Sequence, residues 1–195
     1  MTRIWILVPL LLLAVLGARS AAAHPHVWVD ASLDLQIEEG RVAALDITWL
    51  FDDFYSEMVR GDFDQNGDGS LSQEELDALV GVSAVSLSGH SFFTHLRIGD
   101  ERVRVPAVKE FYAEDDGVQI TYRFRVVLAE PVDLNETPFS VGLFDEGYYV
   151  AIELSDKQIA VSDPACRLVP KEALDQPLYY GLSYPTYYHL TCGSV

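Results

Sequence analysis

"VWVDASLDLQI", Val27 to Ile37, puts Val27, Val29, Ala31, Leu33, Leu35 and Ile37 on one parity and mostly polar residues on the other. Successive side chains of a β-strand point to opposite faces, so this alternation predicts a strand with one buried side. "EEG", Glu38 to Gly40, reads as a turn, and Val42 to Leu50 as a second strand. The period then changes. Phe51, Phe54, Tyr55, Met58 and Val59 recur at helical spacing, with Asp52 and Asp53 placed to cap the start. A Gly- and Asp-rich loop follows, then a helix from about Gln73 carrying Leu76, Leu79 and Val80.

Beyond Gly89 strand signals return. Phe92–Ile98 and Arg102–Val105 flank the turn "GDE", and Lys109–Ala113 and Val118–Leu128 flank "EDDG", whose Asp116-Gly117 suits a tight turn with positive φ. Further strands are expected at Phe139–Phe144, Tyr148–Leu154 and Gln158–Val161. The tyrosine-rich end, with "TYYHLTC", carries no clear period. Many short strands separated by turn signals predict a mainly β chain, an immunoglobulin-like β-sandwich forming one domain over residues 24–195. The helix–loop–helix, over about 51–89, reads as an insertion after the second strand. Nothing in the chain repeats.

Arg3, the apolar run Ile4–Gly17 and the small residues Ala21, Ala22 and Ala23 have the order of a secretory signal peptide, expected over residues 1–23. The run is shorter than the roughly 18 apolar residues that mark a transmembrane helix. The expectation is therefore a periplasmic protein, not embedded in a membrane after cleavage, with His24 as its new N-terminus. With 30 acidic and 13 basic residues the chain carries −17. Such a balance repels nucleic acid and attracts cations, although a solvated acidic surface accounts for part of it. The two cysteines, Cys166 and Cys192, fit an exported disulfide, and no C-x-x-C is present.

"DQNGDGSLSQEE", Asp64 to Glu75, matches D-x-[DN]-x-[DN]-G-x₅-E at every defined position. Asp64, Asn66 and Asp68 offer side-chain oxygens at loop positions 1, 3 and 5. Gly69 permits the sharp turn, Ser70 gives a backbone carbonyl, Ser72 sits at the position often filled through water, and Glu75 closes the shell with two oxygens. Helical patterns on both sides supply the context of an EF-hand-type calcium site. The bland reading is an Asp/Gly-rich surface loop. No second loop has the spacing; Asp115-Asp116-Gly117 lacks it. A lone hand in an exported protein, where calcium is near millimolar, reads as a structural site and not a sensor.

His24 and His26 are i and i+2, so on a strand they would share a face. Imidazole ligates zinc, copper, nickel and cobalt, but two imidazoles are half a site. Asp30 lies too far along an extended strand to join His24. A neighbouring strand is the better source of a third ligand: His95 in "FFTHL" first, His90 second, with His189 an incidental histidine in the tyrosine-rich end. Zinc fits best, because it accepts tetrahedral N/O shells. The square-planar N-terminal copper/nickel chelate is blocked, since Pro25 has no N–H to lose. A copper brace on His24 is not blocked.

"HPHVWVD" after the signal cut, "FDDFYS" before the calcium-type loop, "FFTHLRI" after it and "YYVAIEL" later resemble an uncharacterised exported family described as the periplasmic component of an ABC-type transport system. Its members accompany nickel/cobalt- and zinc-type permeases, and the resemblance spans about His24 to Leu154. It implies a metal role for His24, His26 and His95, with a membrane metal permease as partner. The leading expectation is therefore a non-enzymatic accessory protein for divalent transition-metal transport with one structural calcium ion. A copper oxidoreductase using the His24 brace and a calcium-stabilised interaction module are the alternatives. No G-x-S-x-G, H-E-x-x-H or phosphate-binding glycine loop is present.

Overall fold

A computed structural model describes residues 25–105 and 108–193. The leader expected over residues 1–23, and His24, lie outside the described residues. Among the described residues ten strands form two five-stranded sheets. They are β1 (Val27–Glu38), β2 (Arg41–Phe51), β3 (Thr94–Ile98), β4 (Glu101–Val103), β5 (Val108–Asp115), β6 (Ile120–Asp133), β7 (Phe139–Leu143), β8 (Val150–Val161), β9 (Cys166–Glu172) and β10 (Thr186–Cys192). The first sheet runs β5-β6-β2-β1-β8 and the second β4-β3-β7-β10-β9. The fold is mainly β, as expected. Between β2 and β3 lie the two helices, α1 (Asp53–Phe63) and α2 (Gln73–Ser88), which occupy the region read as helix–loop–helix.

The opening stretch behaves as its alternation requires. Val27, Val29, Ala31, Leu33 and Leu35 are buried, while Trp28 and Asp30 face outward. β1 pairs antiparallel with β2 and parallel with β8, so it lies inside its sheet. The inner faces of both sheets contribute to one core, Leu33, Leu45 and Ile47 from the first and Leu96, Val141 and Tyr188 from the second. Trp49 anchors its aromatic part, edge-on to Phe124 at 4.9 Å between ring centroids. Among the described residues no helix is long and apolar enough to cross a membrane.

Three departures from the sequence reading have physical causes. Ser91, Phe92 and Phe93 do not begin a strand but form a left-handed turn, with φ of 52°, 51° and 46°. Phe92 packs on Phe111 and Phe124 while its neighbour Phe93 lies against Trp49. A strand sends neighbours to opposite faces, so two adjacent rings can both turn inward only if the backbone leaves the β region. Second, the segments expected at Tyr148–Leu154 and Gln158–Val161 are one strand, β8, interrupted by a shift in its pairing with β1 between Ala31 and Leu33. The irregularity is held by Gln158 Oε1, which accepts the N–H and hydroxyl of Ser155 at 3.0 and 2.8 Å. Third, the tyrosine-rich end supplies β10, which pairs with both β7 and β9.

Cys166 and Cys192 are direct cross-strand partners on β9 and β10 and are joined as a disulfide. The bond closes a loop with a sequence separation of 26. Chain-entropy arguments give such a cross-link about 3 to 4 kcal/mol. Replacing both cysteines by alanine should lower unfolding stability by an amount of that order in chemical denaturation. Equal stability with and without the bond would show that the β9–β10 pair holds its own ends together.

Candidate functional site

The helix–loop–helix is fixed at its entry by Asp52. Its Oδ1 accepts the Tyr55 N–H at 2.9 Å, capping α1, and its Oδ2 accepts the Trp28 N–H at 2.8 Å, tying the helix start to β1. Asp64 then turns the loop, accepting the N–H groups of Gly67 at 2.7 Å and Gly69 at 2.8 Å. Both glycines have positive φ, 73° and 88°, which a side chain would make costly. Asn66 accepts from the Asp68 N–H, and Asp68 from the N–H and hydroxyl of Ser70. Glu75 closes the segment. One of its oxygens accepts the Gln65 N–H at 2.7 Å, and the other accepts the Ser72 N–H and hydroxyl in a capping box that starts α2. The hydrogen bonds from Ser70 hold the Asp68 carboxyl below its ordinary pKa, and those from Ser72 do the same for Glu75.

The loop is also fastened to the first sheet. The Leu71 N–H donates at 2.9 Å to Asp115, the last residue of β5, and Arg60 of α1 donates through Nε to both Asp115 oxygens at 3.2 Å. Arg60 reaches the Val118 carbonyl and Glu57 with its other nitrogens. The Asp115 side chain is fully buried and that of Arg60 is 8% exposed.

The two described candidate histidines flank one turn, Phe144 to Tyr149. His26, at the mouth of β1, is exposed; its N–H donates to the Tyr149 carbonyl at 2.9 Å and its ring lies 4.8 Å from that of Tyr149. His95, on β3, stacks on Phe144 with ring centroids 3.8 Å apart and planes 5° from parallel. Its Nε2 lies 2.9 Å from the Phe144 carbonyl. A carbonyl only accepts, so Nε2 carries the proton and, in the neutral ring, Nδ1 carries the lone pair. Burial pushes the His95 pKa below its ordinary value, partly offset by the Phe144 carbonyl and by Glu146 and Asp145. Gly142 makes the stack possible: a Cβ there would meet the Phe144 ring at 2.7 Å. Asp145 shapes the turn by accepting from Gly147, Tyr149 and Val150. His90, His95, Asp145 and Glu146 line a cleft of about 440 Å³ together with Arg102 and Arg104. Among the described residues, no three His, Cys, Asp or Glu side chains are grouped so as to hold one ion.

The profile of a family described as "Protein of unknown function (DUF1007)" matches residues 9–181. The chain belongs to this DUF1007 family. It is 28% identical over 149 residues to an uncharacterised protein of Haemophilus influenzae, covering 75% of this chain and 70% of the relative. It is 30% identical over 134 residues to an uncharacterised 15.5 kDa protein in the trpE 3′ region of Spirochaeta aurantia, covering 67% of this chain and 95% of the relative.

Sequence reading of this DUF1007 chain missed Asp115, which it noticed only as part of a triplet with the wrong calcium spacing. The missed signal was Arg60, a cation on an apolar helix face, which needs a buried acid opposite it. Breaking a buried pair by removing one partner strands the other charge and costs about 3 to 5 kcal/mol. Asp115→Ala should destabilise by that order in urea unfolding, and Arg60→Met with Asp115→Asn should cost less than the two single changes summed. An additive double variant would show that the two groups act independently.

His95 sets a pH dependence whose sign follows from burial. Its folded pKa lies below the unfolded value of about 6.5, so the unfolded chain takes the proton first. The stability held by the neutral ring is present above about pH 6.5 and is lost as pH falls through the folded pKa. Melting of metal-free protein should drop more between about pH 6.5 and 5 for wild type than for His95→Gln. Parallel curves would remove His95 from the acid response.

Proposed function

We propose that this is an exported, periplasmic protein that captures a divalent transition metal, zinc first, and passes it to or from a membrane permease. The observation that supports this reading most directly is that His26, just before β1 of the first sheet, and His95, on β3 of the second, both pack on the short turn from Phe144 to Tyr149. A ligating histidine typically donates its second ring N–H to a carbonyl, and His95 does so, keeping Nδ1 as the donor atom. His24, freed by cleavage after Ala23, would complete the set with its imidazole. Zinc suits three imidazoles with a fourth N/O group or water. The protein acts as a carrier and not as an enzyme.

Calcium is the second ion of the proposal. Asp64, Asn66, Asp68, Ser70, Ser72 and Glu75 form an all-oxygen donor set on an EF-hand-type loop whose two ends are drawn together by the Glu75 to Gln65 hydrogen bond. The fit is chemical: a hard cation is offered the carboxylates of Asp68 and Glu75, already held ionised, with the left-handed glycines setting the turn. The same reading takes the paired sheets as an immunoglobulin-like sandwich, supported by their shared core.

Two measurements test these sites separately. Calcium at tenfold its Kd contributes about 1.4 kcal/mol, worth a few degrees of melting temperature. Glu75→Gln should abolish most of that gain, and equal melting in calcium and chelator would overturn the calcium site. Zinc titrated into calcium-loaded protein beginning at His24 should bind with one-to-one stoichiometry and release protons, more weakly as pH falls through about 6. His26→Ala and His95→Ala should each lose that ion while keeping calcium. Unchanged binding in His26→Ala overturns the transition-metal site.

A further inference from the structure

The outer face of the second sheet carries Arg97 and Lys171, which form no ion pair among the described residues. Strand register places Arg97 of β3 opposite Ser140 of β7, and Ser140 opposite His189 of β10. Tyr187, two residues from His189, lies on the same face and opposite Lys171 of β9. Arg97, Lys171, Tyr187 and His189 line one small cavity of about 110 Å³, with the exposed carboxylates Glu172 and Asp175 at its edge. Neither carboxylate forms an ion pair with Arg97 or Lys171 among the described residues. Arg97 also faces a second arginine, Arg102, directly across β3–β4. Like charges in that position are unfavourable.

Two buried polar atoms of the residues that line this cavity have no hydrogen-bond partner among the described residues. Tyr187 is 1% exposed and its hydroxyl is buried with no hydrogen-bond partner. Arg97 Nε is likewise buried and unpaired, while its guanidinium lies 4.6 Å from the centre of the Tyr187 ring. Buried donors are paired in the great majority of folded proteins, so such a pair in one cavity calls for a ligand atom or ordered water. Against the acceptors Glu172 and Asp175 the lining sets the donors of Arg97, Lys171, Tyr187 and His189, and an acceptor bearing negative charge would satisfy these donors together.

We propose that this cavity binds a small oxyanion of the phosphate class. Arg97 would offer its planar donor fork, the buried Tyr187 hydroxyl is the unpaired donor the anion would engage, and the exposed Lys171 would add charge. His189 lies beside the same anion; burial first, then Lys171 and Arg97, holds its pKa below the ordinary value, and a bound anion reverses the charge part of that effect. Pockets for drug-sized ligands run about 300 to 1,000 Å³, so this one admits a few-atom anion or the terminal phosphate of an ester, with the rest of the ester outside. This site is separate from the calcium loop and from the proposed zinc ligands, and its test does not depend on either.

The test is calorimetric titration of inorganic phosphate into wild-type protein at low ionic strength, without added divalent ions, followed by phosphoethanolamine and by acetate. One-to-one phosphate binding is expected. Tyr187→Phe keeps the ring beneath Arg97 and removes only the hydroxyl; it should weaken binding several-fold, and Arg97→Gln about tenfold or more. Circular dichroism verifies that each variant is folded, and Lys171→Gln, at an exposed position, gives an independent loss where Arg97→Gln fails to fold. Phosphate should raise the His189 ring pKa followed by NMR. Tighter binding of phosphoethanolamine identifies an ester as the source, and tighter binding of inorganic phosphate identifies the free anion. Absence of phosphate binding at millimolar concentration, unchanged binding in Tyr187→Phe and Lys171→Gln, or acetate binding as tight as phosphate overturns the proposal.

Discussion

The carboxylate of Asp115, fully buried at the end of β5 where the chain turns toward β6, is where the helical and β parts of the molecule are fixed to each other. It receives Arg60 from α1, the Leu71 N–H from the loop between the helices, and the Gly117 N–H from its own turn. Burying an ion pair yields little net stability, because desolvation offsets the attraction. What the arrangement supplies is position. Apolar contact alone would let Leu76 and Leu79 of α2 slide on the sheet, whereas directional donors aimed at one carboxylate permit a single register. The loop conformation, with Asp64 and Glu75 brought to its two ends, therefore depends on a residue more than forty positions away in sequence.

Net charge and local charge diverge on the two sheets. On the first, Arg125 is held by Asp46 at 2.6 and 2.9 Å, and Arg123 by Glu114 at 3.4 Å. These cations are neutralised by neighbours on adjacent strands. On the second, Arg97 and Lys171 have no such neighbour among the described residues, although the chain carries −17. The long-range field still repels large polyanions, since it sums over the whole surface. Within a Debye length of a small cavity, about 8 Å at physiological salt, the nearest groups dominate instead.

The parts of the fold that could be read in the sequence are those set by local periodicity. The alternation from Val27 to Ile37 marked β1 within a residue, and Asp52 marked the start of α1, because both signals lie inside the element they define. The left-handed turn at Ser91–Phe93 could not be read, since it answers to two rings on distant strands, Phe124 and Trp49. β10 was hidden for the same reason. Its Tyr187 is buried and its His189 only partly so, which contradicts any simple alternation, and only the two flanking strands explain it. Of the chemistry, the oxygen-bearing loop was visible because its donors are contiguous. Asp115, Tyr187 and Arg97 were not, because each acquires its role from a neighbour across a sheet or a turn.

The His95 environment shows how such distant dependence reaches the level of a single ring nitrogen. Gly142 sits directly opposite His95 on β7 and has no Cβ, so Phe144 can fold back over it and stack on the imidazole. That stack covers one face of the ring and brings the Phe144 carbonyl onto Nε2, which fixes the tautomer. The same fold-back turns the chain at Asp145, whose carboxylate gathers the N–H groups of Gly147, Tyr149 and Val150 and sends the backbone into β8 beside His26. A side chain at position 142 would push Phe144 away and disturb ring, tautomer and turn together. The glycine carries no functional group, yet the chemistry available at both histidines follows from the space it leaves.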